Sequence, residues 1–375
     1  MSGSQISTRR RLPAEWEPVG AVLLAWPRAD GDWAPYLREA RACYRRLLAA
    51  LTALVPVLLL VDEPQRVRLE LGPELAALTR QPAASAASAA SGEVGASAAP
   101  RLRLLASPAR DTWTRDYGPI TVLEGPERPL LLNFAFNGWG GKYASGGDDA
   151  ATRALHASGA LGPVPLERHG LVLEGGSIDS DGQGTLLTTS TCLLASSRNP
   201  RLDRPALEAE LERLLGVKRM LWLEHSALAG DDTDAHIDTL ARFCPNNTLV
   251  YVQGEPNLAL QASAARPHDP LERQLRALRT PEGHPYRLVP LPPGPPRHAP
   301  DDGRPLPATY ANALLLNGSV LLPVYGDPER DAAAAVAWRR ACPGWRVTPL
   351  DCSALLLQHG SLHCATMQIP AAVFG

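Results

Sequence analysis

Apolar residues in this chain fall in short β-prone runs broken by tight-turn residues, and each pair of runs is followed by a helical period and one more apolar run. Four stretches read as strand, turn, strand: 120–134 around Gly125-Pro126, 177–189 around Asp181-Gly182, 237–252 around Pro245-Asn246-Asn247, and 312–324 around Asn317-Gly318. Gly, Asn, Asp or Pro between β-prone runs signals a hairpin, because these residues accept the backbone angles that tight turns impose. The helix and the extra strand are clearest at 202–215 followed by 219–224, and at 331–341 followed by 346–350. Near the start, 33–54 followed by 55–61 reads the same way.

Chemically capable residues recur in the same rhythm. Asp116 and Glu174 are 58 residues apart, Glu174 and His236 are 62 apart, and Cys364 lies 128 beyond His236, about two further steps. The segment Tyr310-Ala311-Asn312 fills the step between. Such a period predicts repeated hairpin, helix, strand units about an axis, with loops converging on one site. The strand that carries Cys364 must then pair with an N-terminal strand, 21–26, to close the ring. An ordinary α/β sheet with units of similar length is the other reading of this rhythm.

Two stretches fall outside it. Segment 81–100 is almost wholly Ala, Ser, Gly and Pro, too poor in apolar surface to order itself, and reads as a disordered surface insertion in one domain spanning 1–375. Segment 290–307 is rich in proline and reads as an extended connection, a tether rather than a lid.

Composition narrows the class. With 45% apolar residues, 375 positions can bury a large core, and a net charge of −2 supplies no basic field for nucleic acid. The best apolar run near the start, 20–26, is too short to cross a bilayer or direct secretion, so a soluble, cytoplasmic protein without a membrane partner is expected. Cys43, Cys192, Cys244, Cys342, Cys352 and Cys364 show no C-x-x-C spacing, which argues for reduced thiols and against a zinc ribbon. Five of them read as small buried hydrophobes.

Cys364 differs because of what accompanies it. A thiol with one imidazole and several carboxylates suits attack on a cationic carbon. Carboxylates repel a transition state that gathers negative charge, but they hold a guanidinium through paired hydrogen bonds. In Thr112-Trp113-Thr114-Arg115-Asp116-Tyr117-Gly118-Pro119, at the end of strand 102–105, Asp116 either binds a substrate cation or pairs with Arg115. Glu174 ends an apolar strand before Gly175-Gly176 and needs a partner, which a bound cation or a protonated histidine would supply. The run Gly230-Asp231-Asp232-Thr233-Asp234-Ala235-His236-Ile237-Asp238 sets four aspartates around one histidine, but its spacing is not that of an EF-hand and no metal is expected. In an extended segment His236 and Asp238 project to one face; a structural histidine in the core is the alternative.

These segments, with Leu12-Pro13-Ala14-Glu15-Trp16, Phe136-Asn137-Gly138-Trp139-Gly140-Gly141-Lys142-Tyr143, Leu173-Glu174-Gly175-Gly176-Ser177, Arg198-Asn199-Pro200, Tyr310-Ala311-Asn312 and Leu362-His363-Cys364, resemble the agmatine deiminase and bacterial peptidylarginine deiminase family of guanidino-group modifying enzymes. The likeness covers nearly the whole chain and implies a five-bladed α/β propeller, or pentein. It also implies Cys364 as nucleophile, His236 as general acid and base, Glu174 as the group that orients His236, and Asp116 and Asp238 as carboxylates on the guanidinium, with Trp113 and Asn312 in the substrate pocket. No cofactor is required. The implied reaction converts agmatine to N-carbamoylputrescine and ammonia, toward putrescine and polyamines. Deimination of peptidyl arginine or of another small guanidine is the alternative, and a non-catalytic guanidinium-binding protein a third. Homo-oligomer formation stays open. Tyr117 and His359-Gly360-Ser361-Leu362 depart from the commoner pattern beside the proposed site.

Overall fold

The computed structural model describes residues 10–79, 101–125, 127–224, 228–254 and 270–375; the insertion expected at 81–100 lies outside them. Among the described residues five separate sheets form, two of four strands and three of three, in agreement with the five-bladed propeller implied above. The unit at 314–351 shows how local sequence builds a blade. Asn317 and Gly318 both take positive φ, 45° and 76°, which turns strand Leu314–Leu316 back against Ser319–Val324. Helix Pro328–Ala341 follows, its first turn set by proline and by Asp327, whose carboxylate accepts the Arg330 N–H. Strand Arg346–Asp351 then returns parallel to Ser319–Val324, as a helical crossover requires. The blade at 178–223 repeats this, with helix Arg204–Leu215 capped by Asp203 and ended by Gly216 at φ 72°.

The ring closes where the sequence rhythm required. Strand Met367–Pro370 pairs antiparallel with Val19–Ala25, which continues in parallel through Val57–Val61 to Leu102–Ala106. Every residue of Val57–Val61 is buried, so this run is covered on both faces. Three expectations need correction. Cys364 is not on the closing strand but in the turn just before it. The Asp116 segment does not end strand 102–105: a loop separates Leu102–Ala106 from the helical turn Thr114–Tyr117. The proline-rich stretch is no loose tether. It leaves strand Arg287–Leu291, forms a bridge between His298 and Pro305, and is pinned by Arg304, whose guanidinium donates to the Leu357 carbonyl at 2.7 Å. Among the described residues no helix is long and apolar enough to cross a membrane.

Candidate active site

The turns that carry Asp116 and His236–Asp238 meet at one glycine of a third turn, and the Asn312 and Cys364 segments join them through Asp238. Gly176, in the turn Gly175–Ser177 after strand Leu166–Val172, donates its N–H to Asp116 Oδ1 at 3.0 Å. A Cβ built on it would stand 2.7 Å from His236 Nδ1, 2.8 Å from Asp116 Oδ1 and 3.1 Å from Asp238 Oδ2. The two glycines anticipated as turn-formers beside Glu174 thus have a second role at Gly176, which is to let three functional groups approach one point.

Asp116 reaches that point from the turn Thr114–Tyr117. Thr114 Oγ1 donates to the Leu23 and Ala365 carbonyls, and the Arg115 N–H donates to the Cys364 carbonyl at 3.2 Å, so this turn is bound to the closing strands and to the Cys364 turn. Arg115 does not pair with Asp116: its guanidinium lies 3.4 Å from Glu15 and donates to Gln368. Asp116 is instead held by Gly176 and by the indole N–H of Trp139, 2.9 Å from Oδ2. Burial pushes the Asp116 carboxyl up to about 6, against the facing His236 that favours its ionised form.

His236 is 1% exposed, and neither ring nitrogen has a hydrogen-bond partner of oxygen or nitrogen among the described residues. Its Nδ1 is 3.7 Å from Asp116 Oδ1. Burial works against its charged form, but Asp116, then Cys192 and Glu174, outweigh this and hold the imidazole well above its usual range. His236 and Asp238 do share one side, though through the short helical turn Ile237–Thr239 rather than an extended strand. Asp238 accepts from His363 Nδ1 at 2.7 Å through Oδ2, while its Oδ1 is buried without a hydrogen-bond partner among the described residues. Burial would raise Asp238, yet His363 overrides it and keeps the carboxyl below its ordinary range. His363 in turn contacts Glu15 through Nε2.

Cys364 Sγ lies 3.2 Å from Asn312 Nδ2 and 3.8 Å from Asp238 Oδ2. Asn312 also accepts the His363 N–H through Oδ1 at 2.9 Å, so one buried amide sets both the thiol and the turn that carries it. Burial pushes the thiol up, and Asp238 and Asp116 add to this while the Asn312 hydrogen bond opposes it. Trp113 forms a wall: a Cβ on Gly360 would come within 2.4 Å of its ring.

Glu174 is fully buried, close enough to His236 to favour its charged form, and hydrogen-bonded to an arginine. Arg198 Nε donates to both carboxylate oxygens, at 2.9 and 3.0 Å. Glu174, Cys192 and His236 bring potential ligand atoms within 4.8 Å of one another; the Arg198 guanidinium on that carboxylate opposes a second cation there. The aspartates before His236 act as struts. Asp231 accepts from Thr233 Oγ1 at 2.6 Å and Ala235 N at 2.7 Å, and Asp234 pairs with Lys142 at 2.8 Å and Arg198 at 2.7 Å. Arg115, Lys142 and Arg198 are therefore each engaged by acidic groups of the protein.

The structure brings together all seven residues singled out beforehand: Cys364, His236, Glu174, Asp116, Asp238, Trp113 and Asn312. It adds Trp139, His363, Arg198 and Cys192, of which the first three lay in motifs already noted but without a role. The cleft that leads to Cys364 is lined by Asp32, Asp111, Asp116 and Asp232 with Trp113, Trp139 and Tyr143, and no Lys or Arg among the described residues lines it. A wider cavity, lined by Leu12, Glu15, Ile178 and Met367, does not include Cys364 or His236.

Residues 11–370 match the family model of Porphyromonas-type peptidyl-arginine deiminase. The agmatine deiminase of Stutzerimonas stutzeri is 31% identical over 96% of this chain and 95% of its own. Among solved structures, a Porphyromonas gingivalis protein proposed to be an arginine deiminase is 42% identical, with a TM-score of 0.81 over 96% of this chain and 98% of that one. A cysteine-to-serine form of the C. jejuni agmatine deiminase with substrate bound is 28% identical, with a TM-score of 0.81 over 98% of each chain.

Proposed function

The chain belongs to the Porphyromonas-type peptidyl-arginine deiminase family, and from that premise we propose that it hydrolyses the guanidinium group of agmatine to N-carbamoylputrescine and ammonia, which would supply putrescine and polyamine synthesis. The observation that carries the reading is the charge of the cleft. Carboxylates stand both beside Cys364 and toward the mouth, at Asp32 and Asp232, with no lining Lys or Arg among the described residues. A molecule with a guanidinium at one end and an ammonium at the other suits such a lining. The α-carboxylate of free arginine is repelled by it.

In this reading Asp116 and the unpartnered Oδ1 of Asp238 accept N–H groups of the guanidinium, and the aromatic walls exclude water. Burial and, after it, these two carboxylates hold the thiol protonated; a bound cation neutralises the carboxylates, so substrate favours the Cys364 thiolate as the thiol proton leaves to solvent. The sulfur bonds to the central carbon. Protonated His236 gives its proton to the departing nitrogen, the C–N bond breaks, and ammonia leaves. The now neutral His236 takes a proton from water as the oxygen bonds to the S-alkylthiouronium carbon. Collapse of this second adduct breaks the C–S bond, returns the thiolate and frees the ureido product with release of one proton.

The 42% identity with the P. gingivalis structure favours a second reading, with arginine or an arginine residue as substrate. Ammonia release from agmatine, arginine and an arginine-containing peptide, measured side by side on the purified protein, separates the two. Turnover confined to agmatine supports the first, and turnover confined to the others overturns it.

A further inference from the structure

Arg198 is the most heavily engaged buried cation near the site, and nothing in the reaction as written uses it. Its side chain is fully buried. Nε holds both Glu174 oxygens, one terminal nitrogen donates to Asp234 Oδ2 at 2.7 Å, and the other donates to the Thr233 carbonyl at 2.8 Å. One planar guanidinium thus joins the carboxylate beside His236 to the backbone from which His236 projects.

That backbone is under strain. Asp234 and Ala235, the two residues before His236, both take left-handed φ, 66° and 69°, a conformation that non-glycine residues adopt only where surrounding contacts enforce it. The contacts are present: Arg198 on Thr233 and Asp234, Asp231 on the Ala235 N–H, and Thr189 Oγ1 on the Ala235 carbonyl at 2.7 Å. His236, by contrast, makes no hydrogen bond to oxygen or nitrogen among the described residues; its ring has only the 3.7 Å contact with Asp116 and the Cys192 thiol beside it. Its placement must come from the chain that carries it and from the charged groups around it.

We propose that Arg198 is the positioning residue for His236, acting at once through Glu174 and through the strained turn; this rests on the reading of His236 as the proton carrier. Lysine at 198 keeps the charge but cannot span a carboxylate, a second carboxylate and a carbonyl in one plane. Arg198→Lys therefore lowers kcat roughly 100-fold, the scale expected when a reacting group is displaced by about 1 Å, while KM changes less than about threefold because the guanidinium-binding carboxylates are untouched. A purely structural ion pair would instead lower the melting temperature and leave kcat per folded site unaltered.

Two further measurements keep the inference testable if that variant folds poorly or the substrate is misassigned. Asp234→Asn keeps the Arg198–Glu174 pair and weakens the Arg198 and Lys142 contacts that hold the turn; a several-fold fall in kcat with little change in KM is expected. The 15N resonances of the His236 ring, assigned by their loss in His236→Gln, report its environment with no substrate present and shift in both variants. Unchanged ring signals, or unchanged kcat in folded Arg198→Lys, overturns the inference. Wild-type turnover with agmatine tests the functional reading separately, and a protein inactive on every guanidine would sink that reading while the ring signals still decide this one.

Discussion

Gly176 and Asp116 are joined by a 3.0 Å hydrogen bond from backbone to carboxylate, and the glycine's missing side chain is the space that His236 Nδ1 and Asp238 Oδ2 close around. Its φ is not in the left-handed region, so alanine would be tolerated by the backbone and excluded only by these neighbours. Gly176→Ala is expected to cost about 1–3 kcal/mol of stability from overpacking and to reduce kcat/KM by roughly two orders of magnitude through misplaced carboxylates. A melting curve and steady-state kinetics check both, and a variant with near-parental activity would remove Gly176 from the account.

Cys364→Ala should abolish ammonia release while the protein melts within a few degrees of the parent, since the sulfur is a small part of the core and its turn is held by Asn312 through backbone bonds. Substantial residual turnover would mean that another group attacks the substrate.

The acid side of the pH profile is expected to belong to Asp116. Its carboxyl is pushed up to about 6 by burial, so below that pH it is neutral and loses its hold on a cation; kcat/KM is expected to fall as pH drops through about 6. The indole N–H of Trp139 favours the ionised form. Trp139→Phe keeps the ring and deletes that donor, which should move the acid limb upward by roughly half to one unit. An unmoved limb would assign it to a different group.

If agmatine is the substrate, Asp232, which lines the cleft and accepts from Tyr143 at 2.7 Å, stands where its distal ammonium would be met. Asp232→Asn is expected to raise KM for agmatine by up to about tenfold, the range for a partly exposed charge pair, and to leave KM for butylguanidine, which lacks the ammonium, nearly unchanged. Equal effects on both substrates would mean that Asp232 only supports the loop.

Much of the blade plan was legible locally. Turn residues between β-prone runs mark hairpins whatever surrounds them, which is why the turns at Asn317-Gly318 and Asp181-Gly182 stand where expected. Ring closure was legible too, because an apolar C-terminal strand has an unpaired edge to satisfy and the run near Val19–Ala25 was left to satisfy it. Residue chemistry alone also marked the thiol, the imidazole and the carboxylates as one set.

Which charges pair with which was decided only by the tertiary structure. Arg115 sits next to Asp116 in the chain yet turns to Glu15, leaving Asp116 to face His236 with its carboxyl raised by burial. Glu174 takes Arg198, and Asp238 takes His363, a residue noted only as the neighbour of the thiol. Trp139 reaches Asp116 only because the loop 138–141 runs through positive φ throughout, a bulky indole included. A run of residues specifies turns and strands through its own sterics and solvation. The ionisation of a buried group depends on which partners the assembled blades bring within a few ångströms, and that distance is not written in any one segment.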